Sequence, residues 1–329
     1  MPKLGIGFIG CGGIHHAHAP HLVDNEEAQI VCAMDVNADV AKAHCDKYGT
    51  ESWTTDQAEL LARDDVAAVV VCTPTGFHKD AVLAAAAAGK HVFCEKPMAM
   101  TVADCEAMDQ ACRKAGVVLQ IGFVRHFCNE WLKLREIIQS GMIGRPVVWR
   151  SFSGGSGAPT PWFFDREIGG GPFIDGAVHS YDWARFIFGE AKSVVTDIRR
   201  LKTGTTAWDT GTVIVHFEGG DEQLLAWSWG LPGFGYGVPA DSAHDVLGPL
   251  GSILFPGGNQ LRVNLADGEH LVEFEADGGS DWFRKQMADF LECCRTGRQP
   301  VAGAKEGIEA TRIAAAALSV GDRPAIVEL

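Results

Sequence analysis

The stretch Leu4–Ile14, which reads LGIGFIGCGGI, leads from an apolar strand through a glycine-rich loop into a helix. Glycines in such a loop let the backbone turn tightly and approach a pyrophosphate, which then meets the exposed N–H groups of the helix N-terminus. Gly10 and Gly12 match the first two glycines of the G-x-G-x-x-G pattern, and His15 stands in place of the third. The loop therefore predicts a dinucleotide site, on a motif that lacks the glycine normally used for close packing of helix against strand.

An acidic residue follows at the spacing that a dinucleotide site requires. Asp35 ends the second apolar strand, 23 residues after Gly12. A carboxylate there accepts hydrogen bonds from the adenosine ribose and repels a 2′-phosphate. The next residues are Val36 and Asn37 rather than an arginine, so the sequence favours NAD over NADP. The alternative is an ordinary polar residue at the end of a strand.

Short apolar runs alternate with helical patterns over residues 1–122. Because the strands are continuously apolar, this alternation predicts an α/β domain with a doubly wound parallel sheet and helices on both faces. Gly49, Gly89 and Gly116 each follow a predicted helix, where a left-handed cap is favoured. The predicted strands are Leu4–Ile9, Ile30–Met34, Val66–Cys72, His91–Cys94 and Val117–Ile121, and the predicted helices are Ile14–Asp24, Asn37–Tyr48, Gln57–Leu61, Lys79–Ala88 and Val102–Ala115.

Residues 123–329 differ in texture and predict a second, α+β domain. Strand-like runs joined by turns such as Gly219-Gly220 indicate a largely antiparallel sheet, and Ser151–Trp162 (SFSGGSGAPTPW) predicts a loop. The predicted strands are Val194–Arg199, Thr212–Phe217, Leu224–Trp229, Ser252–Phe255 and His270–Phe274, and the predicted helices are Asn129–Ser140, Asp281–Arg295 and Lys305–Val320.

Length, charge and cysteine usage exclude several classes of protein. The chain has 329 residues, and 28 Lys and Arg against 42 Asp and Glu give a net charge of −14, so nucleic acid and membranes are disfavoured partners. The ten cysteines include no C-x-x-C pair, and the first residues do not resemble a secretory signal. The longest uncharged stretch, Gln223–Ala240, contains two prolines and is no membrane span. We therefore expect a soluble protein of the cytoplasm.

Four histidines close to Cys11 raise the question of a metal site. They stand at positions 15, 16, 18 and 21, and His18 and His21 are spaced to share one face of a helix. No metal-binding spacing is present, however, and a helix N-terminus beside a pyrophosphate favours anions. The sequence therefore predicts no metal, with the histidines on the surface or beside the cofactor.

Four blocks of sequence resemble a known family in their content and order. They are GFIGCGGI (Gly7–Ile14), CTPTGFH (Cys72–His78), GKHVFCEKP (Gly89–Pro97) and GGGPFIDGAVHSYD (Gly169–Asp182). Together they resemble the Gfo/Idh/MocA family of NAD(P)-dependent oxidoreductases over nearly the whole chain. The resemblance implies a Rossmann domain, a second domain with a large, mostly antiparallel open sheet, and an active site between them. It also implies hydride transfer between NAD and a secondary hydroxyl of a sugar, sugar derivative or cyclitol such as inositol.

Lys96 is the first candidate catalytic residue. It follows a strand end and precedes Pro97, which helps to fix its backbone. An ammonium group in a water-poor cleft can polarise the reacting oxygen, whereas most lysines in turns are merely exposed. By resemblance, Lys96 is the active-site lysine, in contact with both substrate and cofactor, and Glu95 neighbours the nicotinamide ribose.

Asp175 and His179 form the second candidate group. They are four residues apart and would share a face of a helix fed by the glycine run at 169–171. A carboxylate beside an imidazole stabilises the imidazolium, so His179 can act as general base toward the substrate hydroxyl. Both positions match the family's catalytic pair. Asp182 matches a position that often faces the substrate, and a solvated or capping role is its alternative.

The resemblance extends to further contacts in both domains. Arg125 is a candidate substrate contact, and Trp162 and Arg166 are candidate cofactor contacts. The aromatic stretch Trp227–Tyr236 could stack on a sugar ring, but we favour the interpretation that it belongs to the sheet core and an oligomer contact. The cofactor contacts implied in the first domain are Gly10, Gly12, Gly13, Ile14, Asp35, Thr73, Pro74, His78, Glu95 and Lys96.

Two other functions stay open at this stage. Some relatives in the family oxidise a sugar carbon transiently, eliminate a glycosidic bond and reduce the carbon again, which makes them hydrolases without net redox chemistry. A non-catalytic NAD-binding sensor is a third hypothesis, against which the intact set of Lys96, Asp175 and His179 argues. The resemblance also implies a homodimer or homotetramer through the open sheet, with Leu224–Trp229 as the candidate contact.

Overall fold

A computed structural model describes residues 2–231, 244–321 and 323–329. The chain divides into two compact units. The first consists of Met1–Phe127 with Gly278–Ile308, and the second of Cys128–Asp277 with Glu309–Leu329. This division differs from the predicted domains 1–122 and 123–329, because residues 278–308 return to the first unit.

The first unit contains a six-stranded parallel sheet in the order β3-β2-β1-β4-β5-β6. The chain moves outward from β1 to β3, then starts again from β4 on the other side of β1, which is the strand order of a Rossmann fold and confirms the predicted class. Its elements are β1 (Leu4–Ile9), α1 (His15–Val23), β2 (Ala28–Met34), α2 (Ala38–Tyr48), β3 (Trp53–Thr54), α3 (Gln57–Leu61), β4 (Ala68–Val71), α4 (His78–Ala87), β5 (His91–Cys94), α5 (Val102–Ala115) and β6 (Leu119–Ile121).

The helix boundaries in this unit follow from local chemistry. The side chains of Asn37, Asp56 and Thr101 accept hydrogen bonds from backbone N–H groups at the start of α2, α3 and α5. Gly49 and Gly116 adopt the left-handed conformation that ends α2 and α5, as predicted.

A later helix, α8 (Asp281–Thr296), completes the core of the first unit. Met287, Phe290 and Leu291 are fully buried in the same apolar cluster as Ile6 and Phe8 of β1. The helical repeat of these side chains is visible in the sequence, but the surface that they cover is not. This packing explains why the predicted domain boundary differs from the division into units.

Within the described residues, the second unit is built on a nine-stranded sheet in the order β14-β13-β12-β11-β7-β10-β9-β8-β15. Among these strands only the pair β7 and β10 is parallel, so the prediction of a mostly antiparallel sheet is confirmed. Its elements are α6 (Asn129–Gln139), β7 (Val148–Gly154), α7 (Val178–Phe188), β8 (Ala191–Arg199), β9 (Thr210–Phe217), β10 (Glu222–Ser228), β11 (His244–Gly248), β12 (Gly251–Leu254), β13 (Gln260–Leu265), β14 (Gly268–Glu273) and β15 (Ala325–Glu328), and α9 (Ala304–Leu318) begins in the first unit and ends in the second.

Part of the predicted loop Ser151–Trp162 is a strand. Residues 151–154 form the end of β7, which pairs with β10 and β11. Ser151, Ser153 and Gly154 have little preference for strands, and their pairing with β10, to which β11 adds a second partner at Ser151, overrides that preference.

The register places one face of this sheet in the core and leaves the other accessible. Val213, Val215 and Phe217 of β9 are buried, whereas Ile214 between them is half-exposed. Ile214 lies opposite Leu224 of β10 on one side and Val195 of β8 on the other. Val195 in turn lies opposite Ile326 of β15, which is 69% exposed. An apolar row formed by residues 224, 214, 195 and 326 therefore crosses the accessible face.

The described part of the chain has neither a membrane-spanning helix nor a disulfide. None of its helices combines the length and the apolar character needed to cross a bilayer. The ten cysteines, all within that part, form no disulfide.

Candidate active site

The glycine loop lies at the carboxyl end of β1. Gly10 has φ of +88°, and a Cβ atom on it would lie 2.8 Å from the backbone carbon of Cys72 and the backbone nitrogen of Thr73. Glycine is therefore required there, because the loop approaches the end of β4 too closely for a side chain. In contrast, a Cβ atom on Gly12 or Gly13 would meet nothing within 4 Å, so space lies open above these two residues.

The Asp35 carboxylate lies beside this loop at the end of β2. One oxygen accepts a hydrogen bond from Cys11 N–H at 2.9 Å, and the other accepts one from Asn37 N–H at 2.9 Å. These two bonds fix the carboxylate next to the loop while the residue stays half-buried. A ribose with free hydroxyls can donate to a carboxylate in this position, and a 2′-phosphate is repelled by it.

The residues at this edge fit a dinucleotide. Ile14, the N-cap of α1, offers no side-chain acceptor, so no side chain of the cap occupies the helix N-terminus. A pyrophosphate above Gly12 and Gly13 would accept hydrogen bonds from N–H groups of the loop and bring the negative charge that a helix N-terminus favours.

Thr73, Pro74 and His78 follow β4. His78 is 1% exposed, and its ring spans two backbone carbonyls: Nδ1 lies 2.8 Å from Pro97 O, and Nε2 lies 2.8 Å from Thr73 O. Burial lowers the pKa of His78 even though the carbonyls act in the opposite direction. Both ring nitrogens thus face the main chain, which links the end of β4 to the turn after β5.

Glu95 and Lys96 lie at the end of β5. Glu95 is 4% exposed, and one carboxylate oxygen lies 2.7 Å from Nε2 of His18 while the other accepts the Lys96 N–H at 2.9 Å. Burial alone would raise the pKa of Glu95, but the His18 hydrogen bond and the nearby Lys96 hold it below its usual value. Lys96 itself is half-buried.

The neighbouring strand ends complete this edge. Gly122 follows β6, and a Cβ atom on it would lie 2.9 Å from Cδ and Oε1 of Glu95, so glycine leaves room for the carboxylate. Arg125 lies in the short 3-10 helix Val124–Phe127 that comes next. The predicted site residues of the first unit therefore gather where β1, β2, β4, β5 and β6 end.

The other predicted catalytic residues lie in the second unit. Asp175 was predicted on a helix with His179, but α7 begins only at Val178, so this part of the prediction is wrong. Asp175 lies in the preceding turn, where Ala177 N–H donates to Pro172 O at 2.8 Å. This span of five residues is wider than an α-helical turn, and it delays the start of the helix.

Both acidic residues of this group are largely buried. Asp175 is 7% exposed, His179 is half-buried, and Asp182 on α7 is 1% exposed. The burial of Asp182 disfavours the alternative of a solvated surface carboxylate.

Close packing holds the turn that carries Asp175. A Cβ atom on Gly171 would lie 2.6 Å from Trp208 O, and one on Gly176 would lie 2.7 Å from the Trp227 ring. Trp227 therefore packs against Gly176, the residue after Asp175. Residues 232–236 of the predicted aromatic stretch lie outside the described residues.

Trp162 and Arg166 lie in a separate loop of the second unit. The Trp162 ring stacks on Phe163 with centroids 3.7 Å apart. The Arg166 side chain is 68% exposed, its backbone N–H donates to Thr206 Oγ1 at 2.8 Å, and its guanidinium lies 3.8 Å from the Glu167 carboxylate.

Comparison with known proteins identifies the family. Residues 4–123 match the model of an oxidoreductase family with an NAD-binding Rossmann fold, and residues 131–253 match that of the GFO/IDH/MocA C-terminal domain. The myo-inositol 2-dehydrogenase of Thermotoga maritima is 32% identical over 314 residues, which cover 92% of this chain and 91% of that protein. The chain belongs to the Gfo/Idh/MocA family.

Other members of the Gfo/Idh/MocA family extend the comparison. The NAD-dependent scyllo-inositol 2-dehydrogenase of Bacillus subtilis is 28% identical over 311 residues, which cover 89% of this chain and 86% of that protein. The aldose-aldose oxidoreductase of Caulobacter crescentus, solved with glycerol, superposes with a TM-score of 0.83 at 27% identity and covers 99% and 100% of the two chains. Membership makes this chain an NAD-dependent oxidoreductase, so the predicted family, enzyme class and cofactor are confirmed.

Sequence reasoning missed two contributors to the Glu95 environment. His18 was predicted on the surface or beside the cofactor, after a metal site had been considered, but it is fully buried and its partner is Glu95. Within the described residues, no three His, Cys, Asp or Glu side chains are placed to hold a metal. The signal was available in part: residues 15, 18, 19 and 22 repeat at helical spacing and form the buried face of α1. The position of Gly122 directly after β6 could have placed it at the same sheet edge as Glu95.

Histidines also pack beside the glycine loop. His15 and His44 are 2% and 1% exposed, their ring centroids lie 5.0 Å apart, and a His15 ring nitrogen lies against Gly12 O. Burial lowers the pKa of each from the ordinary 6.5 to about 4, and the neighbouring His16 adds to the effect. The replacement of the third motif glycine therefore places a buried histidine at the cofactor loop.

These two histidines should make the stability fall in acid. Between pH 6.5 and 4 the folded protein binds fewer protons at these two histidines than the unfolded chain does. The free energy of unfolding is therefore highest above pH 6.5 and falls as the pH is lowered from 6.5 to 4. Each histidine contributes a slope of up to about 1.4 kcal/mol per pH unit. Thermal unfolding between pH 7 and 4 should show a shallower decline for His44→Phe than for the wild type. His270→Phe, at an exposed histidine of β14, is the control, and equal slopes in all three proteins would contradict this account.

Proposed function

We propose that this enzyme transfers a hydride between NAD and the carbinol carbon of a secondary hydroxyl on a cyclitol, sugar or sugar derivative, with an inositol as first candidate. The observation that carries the proposal is the placement of Glu95 and Lys96 at the sheet edge that bears the glycine loop and Asp35. The names of the relatives supply the substrate class, since two of them are inositol 2-dehydrogenases and others are named D-glucoside 3-dehydrogenase and 1,5-anhydro-D-fructose reductase.

In this proposal the first unit binds the cofactor. The pyrophosphate is held by the loop residues Gly10, Gly12, Gly13 and Ile14. The Asp35 carboxylate accepts hydrogen bonds from the ribose hydroxyls. Thr73 and Pro74 line the same edge, Glu95 and Lys96 lie toward the nicotinamide ribose, and Trp162 and Arg166 of the second unit add contacts. When bound, NAD accepts the hydride from the carbinol carbon.

In the proposed reaction, Lys96 and Arg125 come from the first unit, and the proton acceptor comes from the second. Lys96 polarises the substrate oxygen, and His179 removes the hydroxyl proton as general base. Asp175 stabilises the resulting imidazolium, which makes proton removal easier. Asp182 and Arg125 contact the remaining hydroxyls. The oxidation then balances as secondary alcohol plus NAD⁺ giving ketone, NADH and a proton.

The proposal also includes assembly and location. A homodimer or homotetramer would cover the apolar row of residues 224, 214, 195 and 326 on the accessible sheet face. Analytical ultracentrifugation of wild type and Ile326→Glu tests this assembly, because a charge in the row should dissociate it. Ten cysteines without a disulfide are consistent with a reducing compartment, and we propose the cytoplasm.

The test of the function is absorbance at 340 nm with purified protein, NAD and a panel of inositols, aldoses and simple glycosides. A rise with a free cyclitol or sugar supports the proposal and identifies the substrate class. Release of the leaving group from a glycoside without net NADH would replace it with the redox-neutral hydrolase. NADH binding without turnover on any member would contradict the proposed substrate class.

A further inference from the structure

Two buried histidines flank the turn Glu95-Lys96-Pro97. His18, on α1, lies 2.7 Å from one Glu95 carboxylate oxygen, and His78, on α4, lies 2.8 Å from Pro97 O. The second Glu95 oxygen accepts the backbone N–H of Lys96. A continuous chain of hydrogen bonds therefore runs from the His18 ring through a carboxylate to the main chain of Lys96.

The His18 ring has little freedom to move. It is fully buried, with ring centroids 4.9 Å from Phe93 of β5 and 5.3 Å from Phe283 of α8, both edge to face. An ionised Glu95 carboxylate can only accept, so the proton in this hydrogen bond belongs to Nε2, and Nδ1 has no hydrogen-bond partner within the described residues. A fixed ring with one donor sets one orientation of the carboxylate.

The chain after β6 also lies close to this carboxylate. A Cβ atom on Gly122 would come within 3.0 Å of Cδ and both oxygens of Glu95. Glycine at this position therefore leaves room for the carboxylate in the orientation that accepts from both His18 and the Lys96 N–H.

We propose that His18 is a positioning residue for catalysis: its Nε2–H orients Glu95, and Glu95 holds the main chain of Lys96 so that the ammonium reaches the reacting oxygen. The proposal rests on the role given to Lys96 under the proposed function. A displacement of a reacting group by about 1 Å can lower a rate by about a hundredfold. The residue therefore affects the catalytic step although it lies in the core.

The experiment compares His18→Leu, which removes the donor, with His18→Gln, whose side-chain amide can donate from the same place. We expect kcat to fall about 10- to 100-fold in His18→Leu, with KM for the substrate within about threefold, and to recover most of its value in His18→Gln. Gly122→Ala adds a Cβ atom 2.9 Å from Cδ and Oε1 of Glu95, so it should displace the carboxylate and lower kcat with the same KM.

His91→Leu is the matched control. His91 lies at the amino end of the same strand, and its Nδ1 accepts the Val118 N–H at 3.0 Å, so the variant also removes one hydrogen bond from a histidine of β5. It should lower the unfolding temperature and leave kcat unchanged. If His18→Leu behaves like His91→Leu, or if Leu and Gln lower kcat equally, the positioning role is wrong.

Fluorescence titration with NADH keeps the two proposals apart. A wild-type protein that binds NADH but oxidises nothing on the panel contradicts the proposed function. A wild-type protein that turns over, together with a folded His18→Leu variant of equal kcat, contradicts the role of His18 alone. The ¹⁵N chemical shifts of the His18 ring in the cofactor-free protein give an independent check, since protonation at Nδ1 in place of Nε2 would also overturn it.

Discussion

Lys96→Met should lower kcat by about a thousandfold while the dissociation constant of NADH stays within about threefold of the wild type. Methionine has a similar length and fills the same space, but it carries no charge and donates no proton to the substrate oxygen. The Lys96 backbone N–H, which bonds to Glu95, remains in the variant, so the turn after β5 should keep its conformation. Steady-state rates at 340 nm and NADH fluorescence titration measure the two effects.

Lys42→Met is the control for this substitution. Lys42 lies on α2, where its ammonium forms an exposed ion pair with Asp46. Its replacement should leave both constants unchanged. A kcat within tenfold of wild type in Lys96→Met would remove the ammonium from the catalytic step, and a large loss of NADH affinity would show that its main role is cofactor binding.

Asp35→Ser should weaken NAD binding about 30-fold and change NADP binding by less than about threefold. The carboxylate is lost as an acceptor for the ribose hydroxyls of NAD, and a hydrogen bond to a charged group contributes about 1.5–3 kcal/mol. For NADP the same loss is offset, because the negative charge that repels its 2′-phosphate disappears as well. Dissociation constants for both reduced cofactors, measured by fluorescence, test the difference.

A second contact of Asp35 suggests the result that would contradict this prediction. Its carboxylate also accepts the Cys11 N–H, so a purely structural role would disturb the pyrophosphate loop for both cofactors. Equal losses for NAD and NADP would therefore assign Asp35 to the loop rather than to the ribose. Asp39→Ser, on the exposed first turn of α2, is the control and should change neither constant.

The first unit was predictable because its local signals agree with its fold. The bounds of β1, β5, α3 and α5 match the prediction residue for residue. Buried parallel strands are apolar throughout, and α2 and α5 each start at a capping side chain and end at a glycine, so the pattern is visible without tertiary information. The two-residue strand β3 (Trp53–Thr54) carries no such signal and was not predicted.

The second unit shows the limits of the same reasoning. β7 contains two serines and a glycine, β11 (HDVLG) shows no alternation, and β13 alternates polar and apolar residues over only six positions. Their strand conformation depends on pairing with neighbours that are distant in sequence. The Gly-Pro run before Asp175 likewise suggests a loop that leads into a helix, but not the wide turn that delays the helix to Val178.

The sequence predicted which residue types carry the chemistry of the site, but it did not predict the contacts among them. Glu95 and Lys96 could be named from a motif, whereas the bond between His18 and Glu95 joins positions 77 residues apart. Only the packing of α1 against the end of β5 brings them together. A histidine on the inner face of a helix, opposite a motif carboxylate, is the kind of pair that a sequence alone leaves unmatched.

The central claim is net hydride transfer from a secondary hydroxyl to NAD, and a product balance tests it most directly. The enzyme is incubated with NAD and the polyol that gives the fastest rise at 340 nm, and the ketone and NADH formed are each quantified. The account predicts one NADH for each ketone, with neither formed by Lys96→Met. Consumption of substrate without accumulation of NADH would contradict it and indicate a reaction in which the cofactor is reduced and reoxidised within one cycle.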